Sequence, residues 1–396
     1  MTSRYAKKLH ELEDKGRLRE LTPVVRCSAD YVMYRGGKKH LNLSSNDYLG
    51  LGQDEVLRQC FYKRLEKEGG ENLNFAAASS RLLTGDSLLA HRLENDLVNA
   101  YGSESVLLFN SGYHANIGIL PALFGKGDLI LSDKLNHASI HDGLNLSRAD
   151  HKRFRHGDYD QLHWMLSKHR NQYDQVVIVS ESVFSMDGDE ADLRRLIDLK
   201  HEFDTKLYLD EAHGVGVYGE KGLGKAEEKG VLQEIDFLVG TFGKALASIG
   251  AFVCCSKEIR GYLVNHSRSL IFTTGLPPVT LNWNKYVFQH MLAMTKERQH
   301  LQQISTQLRH ELMEKGIATR GSTNIIPVLI GSDSLALLQA KNMQELGYLV
   351  LPVRPPTVPE GTARFRFSIC ANMQWKDLQK LPEQMAAMAS EANSGK

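Results

Sequence analysis

Cysteine is scarce, charge of one sign is missing, and no long apolar run interrupts the chain. Each lack removes a class of protein. The five cysteines among 396 residues are Cys27, Cys60, Cys254, Cys255 and Cys370, and they form no C-x-x-C pair. An odd number without that spacing argues against a disulfide framework, and reduced thiols are expected instead. With 48 basic and 47 acidic residues the net charge is +1, so no electrostatic footprint for nucleic acid or a membrane surface is present. No run approaches the length of a transmembrane helix. Residues 1–8 lead into a charged amphipathic stretch that lacks the apolar core of a signal peptide. Repeats and low-complexity segments are missing as well. A cytoplasmic protein is expected.

What is there is ordinary globular composition, 42% hydrophobic and 24% charged. The length exceeds what one core usually supports, so two or three lobes are expected. Residues 1–20 have the pattern of an amphipathic helical arm, followed by an extended stretch around Tyr31 to Leu43. From about 55 to 280 strand-like and helical patterns alternate. The strand-like runs are Ser105–Phe109, Asp128–Ser132, Val176–Glu181, Lys206–Asp210, Asp236–Gly240 and Gly250–Cys255, and Asp189–Phe203 has helical spacing. Short apolar strands separated by helices predict an α/β fold with a mainly parallel sheet covered on both faces. Pro277-Pro278 breaks this pattern. Long helical segments follow over 279–316, then strands at Asn324–Ile330, Tyr348–Pro352 and Arg364–Ile369. The expected division is an N-terminal arm and segment over 1–50, a large domain over 51–282 and a smaller α+β domain over 283–396.

Ligands of such sheets sit at the carboxyl ends of strands, and the chemistry-bearing residues cluster there. Asp210 ends Lys-Leu-Tyr-Leu-Asp, His213 follows three residues on, and Lys244 closes the turn Thr241-Phe-Gly-Lys. A lysine behind a turn-forming glycine, with a carboxylate from a neighbouring strand end, is what pyridoxal phosphate requires. The amine forms a Schiff base with the cofactor aldehyde, and the carboxylate keeps the pyridine nitrogen protonated. Alone, Asp210 would more simply be a helix cap or an arginine partner; beside Lys244 that becomes the minority reading. Glu211 points to the opposite sheet face by strand alternation. His137 and His141, four apart, raise a metal site, yet no glutamate follows the first histidine and no further ligand cluster is evident. Stacking of the His137 imidazole on a planar cofactor is the better reading. Ser111-Gly112-Tyr113 precedes a helical run, and free N–H groups there with the helix dipole suit a phosphate; Thr241 can add a hydroxyl. In Arg364-Phe-Arg366-Phe-Ser, one arginine is suited to a bidentate pair with a substrate carboxylate, against the plainer reading of an edge strand with a basic face.

Two literal matches fail in context. Gly214-Val-Gly216-Val-Tyr-Gly219 fits the dinucleotide fingerprint, but loop-like sequence follows where a helix must open. Gly243-Lys244 resembles the end of a phosphate loop, but Leu238 stands where its first glycine belongs and Ala245 replaces the hydroxyl residue.

Taken together, several segments resemble the α-oxoamine synthases, which condense an amino acid with an acyl thioester. They are Ser44-Ser-Asn-Asp-Tyr-Leu-Gly-Leu51, Ser111–Asn116, Val183–Asp189, Asp210–Gly214, Thr241–Lys244, Phe272–Pro278 and Arg354-Pro-Pro-Thr-Val-Pro…Arg364. The resemblance covers nearly the whole chain. It implies a fold-type-I pyridoxal phosphate transferase, with a mainly parallel, seven-stranded-type sheet in a large domain and a smaller α+β C-terminal domain. It implies Lys244 as Schiff-base lysine, Asp210 as pyridine partner, His137 as stacking ring, and His213 with Ser185 near the phenolic side. Gly112, Tyr113 and Thr241 would hold phosphate, helped by Thr273 or Thr274 from the neighbouring subunit of a homodimer. Asn46 and Arg366 would position the amino acid, and Arg19 would lie near the acyl entrance. The Ser44–Leu51 and Arg354–Pro359 segments are most like those of members that join L-alanine to a pimeloyl thioester of coenzyme A or an acyl carrier protein. Members acting in 2-amino-3-ketobutyrate, 5-aminolevulinate and sphingoid-base synthesis share the catalytic residues. One segment departs from the family: Phe75-Ala-Ala-Ala-Ser-Ser-Arg81 stands where relatives carry Gly-Ser-Gly-Gly-Ser, which adds methyl groups and restricts φ.

Overall fold

A computed structural model describes residues 3–28, 30–34, 37–68 and 74–394. Met1 and Thr2 of the expected arm, and Arg35 and Gly36 of the expected extended stretch, lie outside the described residues. The chain forms two compact units, one of Asp54–Phe184 and Glu190–Arg298, the other of Met1–Gln53, Ser185–Asp189 and Gln299–Lys396.

The first unit is built on seven strands: β1 (Ser105–Phe109), β2 (Leu129–Asp133), β3 (Asp150–Phe154), β4 (Val176–Glu181), β5 (Lys206–Asp210), β6 (Phe237–Thr241) and β7 (Ala251–Cys255). They lie in the order β1-β7-β6-β5-β4-β2-β3. All neighbours are parallel except β7, which is antiparallel to both β1 and β6. β1, β2, β4, β6 and β7 are buried at every position, as the continuous apolar runs of a sheet covered on both faces demand. β3, Asp-His-Lys-Arg-Phe, is exposed at its first four positions. Hydropathy predicts no strand there; its charged residues suit an edge, where they discourage pairing with another chain.

Helices Gly112–Leu123 and Ala138–Leu146 bury Ile119, Leu120, Ile140 and Leu144 against Phe109, Ile130, Val177 and Val239 of the sheet. Each such side chain contributes roughly 1.5–3 kcal/mol by leaving water. Because β2, β4, β5 and β6 run the same way, their last residues, Asp133, Glu181, Asp210 and Thr241, share one edge. Helix Pro278–Leu292 also belongs to this unit, with Trp283 and Asn284 donating to the carbonyls of Ala247 and Ile249.

The second unit carries two small sheets. Val24–Ser28, Tyr31–Tyr34, Lys38–Asn42 and Tyr348–Leu349 form one; Ile325–Gly331, Ala363–Ser368 and Pro352–Val353 form the other, wholly antiparallel one. The single strand expected over Tyr348–Pro352 is thus two short strands serving different sheets. Helix Arg4–Asp14, capped by Ser3, begins the unit. All five cysteines are free. Cys254, Cys255 and Cys370 are buried, and Cys27 and Cys60 are exposed. Among the described residues no helix is long and apolar enough to cross a membrane.

Candidate active site

The carboxyl edge of the large sheet gathers Lys244, His213, Asp210 and His137. Lys244 follows β6, and its Nζ lies 2.7 Å from His213 Nε2. Thr241 shapes the turn between them: its hydroxyl donates to the Gly250 carbonyl at 2.9 Å and accepts the Gly243 N–H at 3.0 Å. Asp210 is buried, and each of its oxygens takes a donor. Oδ1 accepts the Ala212 N–H at 2.8 Å and Oδ2 accepts Asn116 Nδ2 at 2.9 Å. Asn116 also donates to Ser139 Oγ and accepts the Tyr208 hydroxyl. Glu211 goes elsewhere, accepting from Ser182 Oγ at 2.5 Å and the Ala226 N–H at 2.7 Å.

His137 caps helix Ala138–Leu146, its Nδ1 accepting the Ser139 N–H at 3.2 Å. That bond leaves the proton of a neutral ring on Nε2. Crowding by the protein pushes the His137 pKa down, with Lys244 and His141 acting in the same sense and Asp210 opposing, although the residue as a whole is exposed.

The expected phosphate cradle is the start of helix Gly112–Leu123. Ser111 caps it, accepting the His114 N–H at 3.2 Å, so the N–H groups at the first turn need partners from outside the helix. A Cβ at Gly112 would meet only Thr241 Cβ, at 4.0 Å, which sets these two predicted residues side by side. Tyr113 gives its hydroxyl to Asp142. Thr273 and Thr274 lie beside Asn110 of the same chain, whose amide donates to Thr273 Oγ1 at 3.3 Å and the Thr274 carbonyl at 2.7 Å.

In the other unit Arg366 is the centre of a second cluster. Its guanidinium donates to the Ser185 carbonyl, to Asn46 Oδ1 at 3.2 Å, to Ser368 Oγ at 2.7 Å and to the Tyr48 hydroxyl at 2.9 Å. The predicted pair Asn46 and Arg366 is therefore in contact, and Ser185 joins it through its backbone. Arg364, the alternative, is bound to Asp187. Arg19 donates to Thr357 Oγ1 at 3.2 Å, beside an apolar groove of about 660 Å³ lined by Leu9, Leu12, Leu18 and Val358.

Asn116, Ser139, Tyr208 and Tyr48 were not singled out from sequence. Asn116 and Tyr48 lie inside motifs that were; Asn116 stands four residues after Gly112, the spacing that puts both on one helix face. Ser139 and Tyr208 carry no sequence signal distinct from a cap and a core tyrosine.

The residues present fit pyridoxal phosphate: an amine against an imidazole, a buried carboxylate with a donor at each oxygen, an exposed imidazole, and a glycine-started helix beside a threonine. A sequence model of the aminotransferase class I and II family matches residues 38–384. The chain is 50% identical over 387 residues to the 8-amino-7-oxononanoate synthase of Chlorobaculum parvum, which covers 97% of this chain and 98% of that protein. Serine palmitoyltransferase from S. paucimobilis, with bound PLP–myriocin aldimine, superposes with a TM-score of 0.90 at 27% identity, covering 98% of each chain. The 8-amino-7-oxononanoate synthase of Francisella tularensis superposes at 0.75 with 27% identity, over 89% of this chain and 99% of that one.

Proposed function

Because the chain belongs to the aminotransferase class I and II family, among its α-oxoamine synthases, we propose that it condenses L-alanine with a pimeloyl thioester. The carrier thiol and carbon dioxide leave, and 8-amino-7-oxononanoate is formed for biotin synthesis. The observation that carries this reading is the 50% identity over nearly the whole of both chains. The gathering of Lys244, His213, Asp210 and His137 at one sheet edge supports it. The S. paucimobilis fold superposes better than that of the F. tularensis synthase, which favours a sphingoid-type reaction as the second reading; the 50% identity of the C. parvum protein decides between them, since the fold is common to the family.

Pyridoxal phosphate, when bound, supplies a ring that takes up the electron pair left on the substrate's α-carbon. Lys244 would hold the cofactor aldehyde. As a free amine its Nζ would take the α-proton of alanine and later return one, with His213 in reach to share it. Asp210, with an N–H donor at each oxygen, would pair with the ring nitrogen. His137 stacks its ring and directs its Nε2–H to the acyl oxygen as charge develops there. Gly112, Tyr113 and Thr241 take the phosphate. In the family pattern Thr273 or Thr274 reaches the phosphate of a neighbouring subunit, so a homodimer in the cytoplasm is part of the reading. Arg366 and Asn46 take the amino-acid carboxylate, and Ser185 belongs near the phenolic oxygen. Arg19 and its groove receive the acyl chain, carried by coenzyme A or by an acyl carrier protein.

Two measurements test this. Lys244→Ala abolishes the absorbance near ~420 nm that marks lysine-bound cofactor. Alanine with pimeloyl thioester releases carbon dioxide, while glycine or serine with other thioesters does so far more slowly; the reverse ranking overturns the substrate assignment.

A further inference from the structure

A second carboxyl stands beside Asp210. Glu181 ends β4, and the parallel register sets it directly against Asp210 of β5. It is 2% exposed. Its carboxyl lies within electrostatic reach of the peptide N–H of His137, while Oε1 has no hydrogen-bond partner among the described residues. The turn that delivers His137 is tied to the same strand. Asn136 accepts the Glu181 N–H at 3.1 Å and donates to the Val179 carbonyl at 2.8 Å. Glu181 thus lies beside the backbone of one predicted site residue and flanks another.

Two buried acids side by side do not both ionise without a large cost, and the donors show which one does. Asp210 receives an N–H at each oxygen, the arrangement that favours a charged carboxylate. Glu181 has only the His137 N–H in reach, which the carbonyl oxygen of a neutral acid accepts equally well, and nothing among the described residues donates to Oε1. Burial pushes the Glu181 carboxyl well above the usual range. Asp210 and Asp133 act in the same sense; Lys244 and the His137 N–H oppose them.

We propose that Glu181 is a positioning residue that stands as a neutral acid: its carbonyl oxygen fixes the peptide N–H of His137, and the negative charge of the pair stays on Asp210. The inference rests on the roles of Lys244, Asp210 and His137 given above. It explains why a carboxyl is tolerated in this place. A charged Glu181 would draw the Lys244 side of the site toward itself and compete with Asp210 for the cofactor's positive edge, whereas a neutral one only braces the turn.

The test uses the holoenzyme. At pH 8 the wild type shows the infrared carbonyl band of a protonated carboxyl, and Glu181→Gln lacks it. The glutamine still accepts the His137 N–H, so cofactor affinity stays at the wild-type value, as does the pH midpoint of the lysine-bound cofactor's absorbance. Glu181→Leu offers no acceptor and loses cofactor affinity about tenfold, a loss the glutamine variant does not share. The proposal is overturned if Glu181→Gln abolishes no carbonyl band and moves the midpoint down by about one unit or more, because that is the signature of a charge removed from beside Lys244. It is also overturned if Glu181→Leu keeps wild-type affinity. Asp210→Asn separates this failure from that of the parent reading. If its midpoint and affinity match wild type, the assignment of the site falls and takes the proposal with it; if they change, only the role of Glu181 is in question.

Discussion

Ala78 and Ala247 have φ of 58° and 47°, in the left-handed region. A Cβ costs about 1–2 kcal/mol there, so glycine is the natural occupant. Ala78 is the last of three alanines where the resemblance implies a glycine-rich stretch, and only it needs the unusual φ; Ala76 and Ala77 carry methyl groups without backbone strain. Ala247 follows Lys244 by three residues, its carbonyl held by Trp283 at 3.3 Å, and nothing in the sequence marks it. Ala78→Gly and Ala247→Gly are each expected to stabilise the protein by roughly 0.5–1 kcal/mol after the greater freedom of glycine in the unfolded chain is subtracted, measured as a rise in urea midpoint. Glu211 gives a pH-dependent expectation. Burial pushes its carboxyl up to about 7 from 4.5, against the opposing hydrogen bonds from Ser182 and the Ala226 and Lys225 N–H groups. Between those two values the unfolded chain gives up a proton that the fold retains, so stability falls as pH rises through the window. Glu211→Gln removes this dependence, since Ser182 can turn its hydroxyl to accept from the amide. Relative to wild type the variant gains up to about 3 kcal/mol from the lower end of the window to the upper, read by chemical denaturation at the two pH values.

Among the elements, strands announced themselves where apolar residues ran unbroken: β1, β4 and β5 begin and end where hydropathy places them. Hydropathy carries neither direction nor neighbourhood, so the antiparallel course of β7 between β1 and β6 was not legible, nor was the polar edge strand β3. The Tyr348–Pro352 run failed for another reason: Leu349 and Pro352 satisfy different sheets, and a run of apolar residues does not say where pairing changes partner. The candidate residues stood out because they sit in turns with restricted chemistry, and Lys244 and His213 among them are in contact. Side chains that act by contact alone, such as Ser139 and Tyr208 against Asn116, carried no such mark. Helix Gly112–Leu123 offers a test at this scale. Ser111→Ala removes its N-cap, which is expected to cost about 1 kcal/mol of stability and to weaken cofactor retention, whereas Ser256→Ala at the cap of helix Lys257–His266 is expected to cost a similar amount with retention unchanged. Thermal denaturation and equilibrium dialysis of cofactor read the two effects separately.

For the molecule as a whole, the division into two units means that ligand energy enters unevenly. Lys244, Asp210 and Gly112 belong to the unit of the large sheet, Arg366 and Asn46 to the other. Cofactor at a hundredfold excess over its dissociation constant stabilises what it binds by about 2.7 kcal/mol. Hydrogen exchange is expected to slow first in β2, β4, β5 and β6, with Ile325–Gly331 and Ala363–Ser368 changing less; equal protection throughout would mean that the two units open together. The buried thiols turn this into a measurement requiring no label. Cys254 and Cys255 occupy successive places on β7, so their sulfurs face opposite sides of the large sheet, and Cys370 is buried in the other unit. Burial raises all three thiols well above their ordinary range, leaving little thiolate to react. An alkylating reagent would consume Cys27 and Cys60 at once and then wait. The later appearance of modified Cys254 and Cys255 on one peptide, and of Cys370 on another, would be two clocks in one chain, each timing the breathing of its own half.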